Sequence, residues 1–142
     1  MTTDSCAGNG NVMLLACSGA SNVGQLTNQA ALELTQEGVG NMSCLAGLGG
    51  KLAGFMKMAR ESSALVVMDG CEVGCAKAIF KEAGLPLKGY VVLTDDLGLV
   101  KNKDFALKRE QVDQVKQAAR AAAETQMPQG GVLAATGCNC CA

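Results

Sequence analysis

The chain has 142 residues, 49% hydrophobic and 18% charged, enough to bury roughly 68–70% of its unfolded surface in one core without disulfide staples. A formal charge of −1, one Tyr, three Phe and no Trp leave neither a basic field nor a stacking platform, so no nucleic-acid partner is expected. Eight Cys and no His exclude histidine acid–base chemistry and every mixed Cys/His metal site, and turn attention to thiols.

Residues 1–10 are small and polar and read as a flexible lead. The apolar run 12–17 predicts a strand buried on both faces. It is too short for a signal core or a membrane span, and the first basic residue is Lys51, so a cytoplasmic protein with no membrane partner is expected. Ser18, Ser21 and Asn22 offer caps to a helix over residues 23–36, whose Val23, Leu26, Ala30 and Leu34 recur at helical spacing. A second unit follows as strand 41–46, loop 47–50 and helix 51–60. The third is strand 64–69, turn 70–74 and helix 75–83, closed by Gly84. A fourth strand is expected over 90–94, and a long helix over 104–124 with Val112 and Val115 on one face. Residues 127–131 break that pattern, and the chain finishes on Cys138, Cys140 and Cys141.

Strands alternating with helices predict an α/β protein, a small three-layer Rossmann-like fold with a mostly parallel sheet of about four strands in the order 2-1-3-4. One domain is placed at residues 11–125, with residues 126–142 as a cysteine-rich tail. In this topology the loops after the strand C-termini lie along one edge, where ligands bind. Cys17 ends the first strand, Cys44 lies in or just past the second, and Cys71 follows the third by two residues. Cys75 comes four residues later and shares a helix face with Cys71 if that turn is helical.

Four thiols gathered from three loops suit tetrahedral Zn²⁺, with Zn–S of about 2.3 Å, or an iron–sulfur cluster. Thiolate donors select such metals over Mg²⁺ or Ca²⁺. Helix N-termini at the same edge would offset the excess negative charge. The layout serves a thiol-dependent oxidoreductase or transferase using Cys71 and Cys75 equally well, with a thiol or soft-metal small molecule as partner. Whether the chain is an enzyme stays open. Asp69 is read first as a cap for the helix that follows, and otherwise as a support for the site. Lys77 is read as solvated, and Gly47, Gly49 and Gly50 as a candidate anion nest. Cys17 resembles the nucleophile of a low-molecular-weight phosphatase, but Val23 stands where that loop needs Arg.

The segments Cys17-Ser18-Gly19-Ala20-Ser21-Asn22-Val23-Gly24, Cys44-Leu45-Ala46-Gly47-Leu48-Gly49-Gly50 and Met68-Asp69-Gly70-Cys71-Glu72-Val73-Gly74-Cys75 resemble the DGC-domain family. This prokaryotic group is named for its Asp-Gly-Cys motif. The resemblance runs from about Leu14 to Lys103. It implies a zinc site whose ligands correspond to Cys17, Cys44, Cys71 and Cys75. Cys6, Cys138, Cys140 and Cys141 lie outside it, so ligand number and any part played by the tail are left open.

Overall fold

The computed structural model describes residues 11–127. The N-terminal lead and nearly all of the C-terminal tail, with Cys6, Cys138, Cys140 and Cys141, lie outside the described residues. Four strands, β1 (Val12–Ala16), β2 (Asn41–Met42), β3 (Ala64–Asp69) and β4 (Tyr90–Val92), form one sheet in the order β2-β1-β3-β4. All three pairings are parallel. This order puts β1 and β3 at the centre of the sheet, with β2 and β4 at its edges.

Both central strands are buried throughout. Their alternation divides the core into two layers, since successive side chains leave opposite faces of a strand. Val12, Leu14, Ala16, Val66 and Met68 pack against α1 (Asn22–Gln36) and α6 (Arg109–Glu124). Met13, Leu15, Leu65 and Val67 pack against α2 (Leu45–Gly49), α3 (Ala53–Glu61) and α4 (Cys75–Ala83). A single turn, α5 (Leu93–Asp96), follows β4. Val23, Leu26, Ala30 and Leu34 of α1 are buried as their spacing predicts, and so are Val112 and Val115 of α6.

Several boundaries differ from expectation. The second strand stops at Met42, and Cys44 becomes the residue before α2. Leu45 and Leu48, three apart and both buried, bring 45–49 into a helix, so the glycines there form no anion nest. The next helix runs over Ala53–Glu61. β4 gives way to α5 at Leu93, where Asp96 accepts a hydrogen bond from the Val92 N–H at 2.7 Å.

The last helix starts five residues later than predicted. Asn102 Oδ1 accepts from the Asp104 N–H at 2.8 Å, and Asp104 Oδ1 from the Ala106 N–H at 3.0 Å. Such local side-chain bonds compete with helix formation. The same loop is strapped to the start of α1. Asn22 Nδ2 donates to the Val100 carbonyl at 2.8 Å, Asn22 Oδ1 accepts from the Asn102 N–H at 2.6 Å, and the Asn22 N–H donates to the Asn102 carbonyl at 3.0 Å.

An ion-pair network joins α1 to α6. Glu33 accepts from Arg109 at 2.8 and 2.6 Å, from Gln29 at 3.0 Å and from Lys116 at 3.1 Å. Glu37 pairs with Lys116 and Arg120. The Arg109 hydrogen bonds first, then those from Gln29 and Lys116, hold the Glu33 carboxyl far below the usual carboxylate range. Its stabilisation is therefore complete above the unfolded value of about 4.3 and is lost as pH falls through the lower folded value. Glu33→Gln should cost about 1 kcal/mol at neutral pH. The difference between the two proteins should shrink as pH falls below the ordinary carboxylate range, as read by urea unfolding at a series of pH values.

Candidate metal centre

The four predicted cysteines all lie at the C-terminal edge of the sheet. Cys17 directly follows β1, and its N–H still reaches the Met68 carbonyl of β3 at 2.9 Å. Its sulfur points to the layer of Met13 and Leu15 and is half-buried. Cys44 precedes α2 and is exposed. Cys71 lies in the turn after β3, half-buried, and Cys75 is the exposed first residue of α4. The turn between them is not helical: Gly74 adopts a left-handed conformation with φ 67° and begins α4 afresh. Cys71 and Cys75 therefore do not share a helix face, contrary to the helical-turn expectation.

Two neighbouring cavities organise these thiols. One, of about 260 Å³, is bordered by Cys17, Cys71 and Cys75 together with Lys101 and Lys103. The other, of about 580 Å³, is bordered by Cys17, Cys44 and Cys75. Cys17 and Cys75 thus belong to both, Cys71 to one and Cys44 to the other. Among the described residues, no three Cys, Asp or Glu side chains come together closely enough to hold a metal ion as they stand. Topology brings the four thiols to one edge but does not assemble them into a closed tetrahedron.

Each sulfur has its own surroundings. Cys17 Sγ accepts from the Gly70 N–H at 3.3 Å and lies 3.7 Å from Thr27 Oγ1. Thr27 is fully buried and donates its own proton to the Gly24 carbonyl at 2.6 Å. Its oxygen is left to accept, and it takes the Ser18 N–H at 3.3 Å. Cys17 as a thiol can donate to that oxygen and accept from Gly70. The Gly70 N–H remains available when the sulfur carries charge, which is the supporting contact a thiolate ligand needs. Ser18 sits at φ 51°, so the chain turns sharply just after Cys17.

Cys71 Sγ receives a hydrogen bond from Lys101 Nζ at 3.3 Å. That hydrogen bond holds the Lys101 ammonium above its ordinary value. Lys103 Nζ donates to the Ala20 carbonyl on the opposite rim. The strap through Asn22 sets both lysines at the cavity. Neither was identified from the sequence, because they follow Cys71 by thirty residues or more and carry no motif.

Asp69 fulfils its capping reading. It is 1% exposed, and its carboxylate accepts from the Ala76 N–H at 2.8 Å, the Lys77 N–H at 3.0 Å and the Tyr90 hydroxyl at 2.7 Å. Burial, and then the hydrogen bond to Asp69, raise the Tyr90 phenol well above its usual range. Ser21 caps α1, accepting from the Gly24 N–H at 3.2 Å, while Ser18 donates to Asn28 at 3.1 Å. Among the described residues, no hydrogen bond joins Ser18, Ser21 or Asn22 to sulfur. Lys77 is exposed, as expected.

No helix among the described residues is long and apolar enough to cross a membrane. No solved structure matches the chain. One curated relative is the anaerobic and virulence modulator AnvM of Pseudomonas aeruginosa, 42% identical over 65 residues. The aligned stretch is 46% of this chain and spans half the length of AnvM. The DGC domain matches residues 13–119, a span that includes all four edge cysteines and the Asp69-Gly70-Cys71 motif. This chain belongs to the DGC domain family.

Proposed function

We propose that the protein binds a soft metal ion, zinc first, through Cys17, Cys44, Cys71 and Cys75. The observation that supports this is the pair of adjoining cavities sharing Cys17 and Cys75, with one further thiol on each. The donor chemistry fits: four free thiols and no histidine in the chain. Lys101 and Lys103 border the thiols and would offset the surplus negative charge of a four-thiolate set. Bound there, zinc would tie three loops together without hydrolytic activity, because four protein ligands leave no open position. The name of AnvM, a modulator, agrees with a regulatory role in which the state of this site is the signal. Free cysteines in such a role suit the cytoplasm.

Metal analysis and an absorption spectrum on anaerobically purified protein, with no metal added, test the proposal. About one zinc per chain and no visible band are expected, as for a four-thiolate site. Cys71→Ser should lower both zinc content and thermal stability, and unchanged values in that variant would refute the assignment. Iron with sulfide and a visible band would identify an iron–sulfur protein instead.

One observation favours a second reading. Lys101 Nζ lies on Cys71 Sγ with no third ligand assembled beside it, an arrangement suited to a nucleophilic cysteine. In a thiol oxidoreductase or transferase, metal-free protein would alkylate fastest at Cys71 and form a disulfide under mild oxidation. A zinc-filled site would resist alkylation until a chelator is added.

A further inference from the structure

Residues 97–108 run between α5 and α6 without helix or strand. A connection of about a dozen such residues is long for a compact domain, and connections of that length usually serve binding or catalysis. This one is pinned by a buried side chain. Asn22 is 5% exposed, and both ends of its amide, with its own N–H, are spent on Val100 and Asn102. Lys101 and Lys103 flank Asn102, so the bonds that fix that residue also fix the start of both lysine side chains.

Both lysines border the cavity of Cys17, Cys71 and Cys75. Atomic contacts place each ammonium. Lys101 Nζ donates to Cys71 Sγ at 3.3 Å, and Lys103 Nζ donates to the carbonyl of Ala20, which borders the same cavity. Among the described residues, neither lysine forms an ion pair with a carboxylate. Asp69, the carboxylate on this cavity, is already engaged by three donors. The two positive charges are therefore free to meet an anion. A volume of about 260 Å³ admits only a small one. The thiols differ as well: Cys17 Sγ meets the Gly70 N–H, whereas Cys71 Sγ meets an ammonium. An ammonium on a thiol sulfur supports negative charge there, and a thiolate attacks sulfur–sulfur bonds.

We propose that this cavity takes a small sulfur dianion of the thiosulfate class and that Cys71 accepts its outer sulfur. The inference rests on the second reading above, in which Cys71 is a nucleophile, and gives that reading its substrate class. The Cys71 thiolate attacks the outer sulfur and forms a new S–S bond, while the S–S bond of the donor breaks. Sulfite leaves with that electron pair, and Cys71 carries a persulfide. Atoms and charge balance, and no oxidant or reductant is needed. Lys101 and Lys103 hold the sulfonate oxygens and meet the charge that develops on the departing sulfite. A second nucleophile then takes the outer sulfur from Cys71 and restores the thiolate.

The test gives thiosulfate to the full chain, reduced and treated with a chelator, and reads each cysteine by peptide mass spectrometry. The Cys71 peptide should gain the mass of one sulfur atom, with sulfite released in equal amount. Added cyanide should remove that sulfur as thiocyanate. Alkylation by iodoacetamide, a neutral reagent, measures the nucleophile alone. The variant Lys101→Met/Lys103→Met should lose at least about tenfold more of the thiosulfate rate than of the iodoacetamide rate, because charge-assisted bonds to the anion are lost. If Cys71 alkylates first but gains no sulfur, the sulfur-donor proposal falls and the nucleophile stands. If Cys71 does not alkylate first, the second reading falls with it. Sulfur on Cys17 or Cys75 instead, or equal losses of both rates in the double variant, also overturns the proposal. Should the chelated chain not fold, the chain as purified is given thiosulfate and cyanide, and failure to form thiocyanate refutes it.

Discussion

Asp69→Ala should lower the unfolding free energy by about 3 kcal/mol in a guanidinium titration. Its carboxylate is buried and accepts three hydrogen bonds, from the Ala76 and Lys77 amides and the Tyr90 hydroxyl. Removing it strands three donors together. An orphaned buried donor costs about 1–3 kcal/mol, though the Lys77 amide, on an exposed residue, can recover water. Helix α4 has no substitute, because its own N-cap is Gly74, which has no side chain to offer. Asp69→Asn should fall between wild type and alanine: its amide keeps one acceptor oxygen but sets an N–H₂ against a donor. Tyr90→Phe removes one bond and should cost about 1 kcal/mol. A loss below 1 kcal/mol for Asp69→Ala would show that α4 is held by packing of Ala76 and Phe80 alone.

Two glycine-to-alanine changes should move stability in opposite directions. Gly54, exposed in α3, has nothing within 4 Å of an added Cβ, and Gly54→Ala should stabilise by roughly 0.5–1 kcal/mol through helix propensity. The same propensity favours Gly24→Ala in α1, but there the Cβ would lie 2.5 Å from the Gly19 carbonyl oxygen and 2.7 Å from Gly19 Cα. Those atoms are backbone and cannot swing aside. Overpacking of this kind costs about 1–3 kcal/mol, and the cost falls on the loop that follows Cys17. Gly24→Ala should therefore destabilise by about 2 kcal/mol and displace Cys17 from the Gly70 N–H that it accepts. Thermal unfolding reads the first effect and the alkylation rate of Cys17 the second. Equal stabilisation by both substitutions would mean that the loop at Gly19 yields easily.

The fold was legible wherever apolar runs and helical spacing agreed. Residues 12–16 and 64–68 lie in buried strands because they are continuously apolar, and α1 and α6 bury the residues their periodicity marks. Errors fell where short polar or small residues decide the backbone. The stretch 43–49 reads as strand and loop from composition, yet Leu45 and Leu48 face the core as one helical turn. Residues 104–108 carry good helix formers, but Asn102 and Asp104 engage the local amides first. For the four cysteines, the edge of the sheet was legible and their geometry was not. All four cysteines sit at the expected edge, but the turn between Cys71 and Cys75 passes through a left-handed Gly74, so the two do not share a helix face.

By itself the sequence determined a four-stranded parallel α/β fold and the edge on which Cys17, Cys44, Cys71 and Cys75 would stand. The physical reason is that alternating strands and helices build parallel βαβ units, and parallel strands deliver their C-terminal loops to one side. Only the tertiary structure decided that these thiols divide between two adjoining cavities and that Lys101 bonds to Cys71. Those juxtapositions join residues far apart in the chain. They depend on the buried Asn22 strap and on the close approach of the Gly19 backbone to Gly24, neither of which leaves a periodic trace in the sequence.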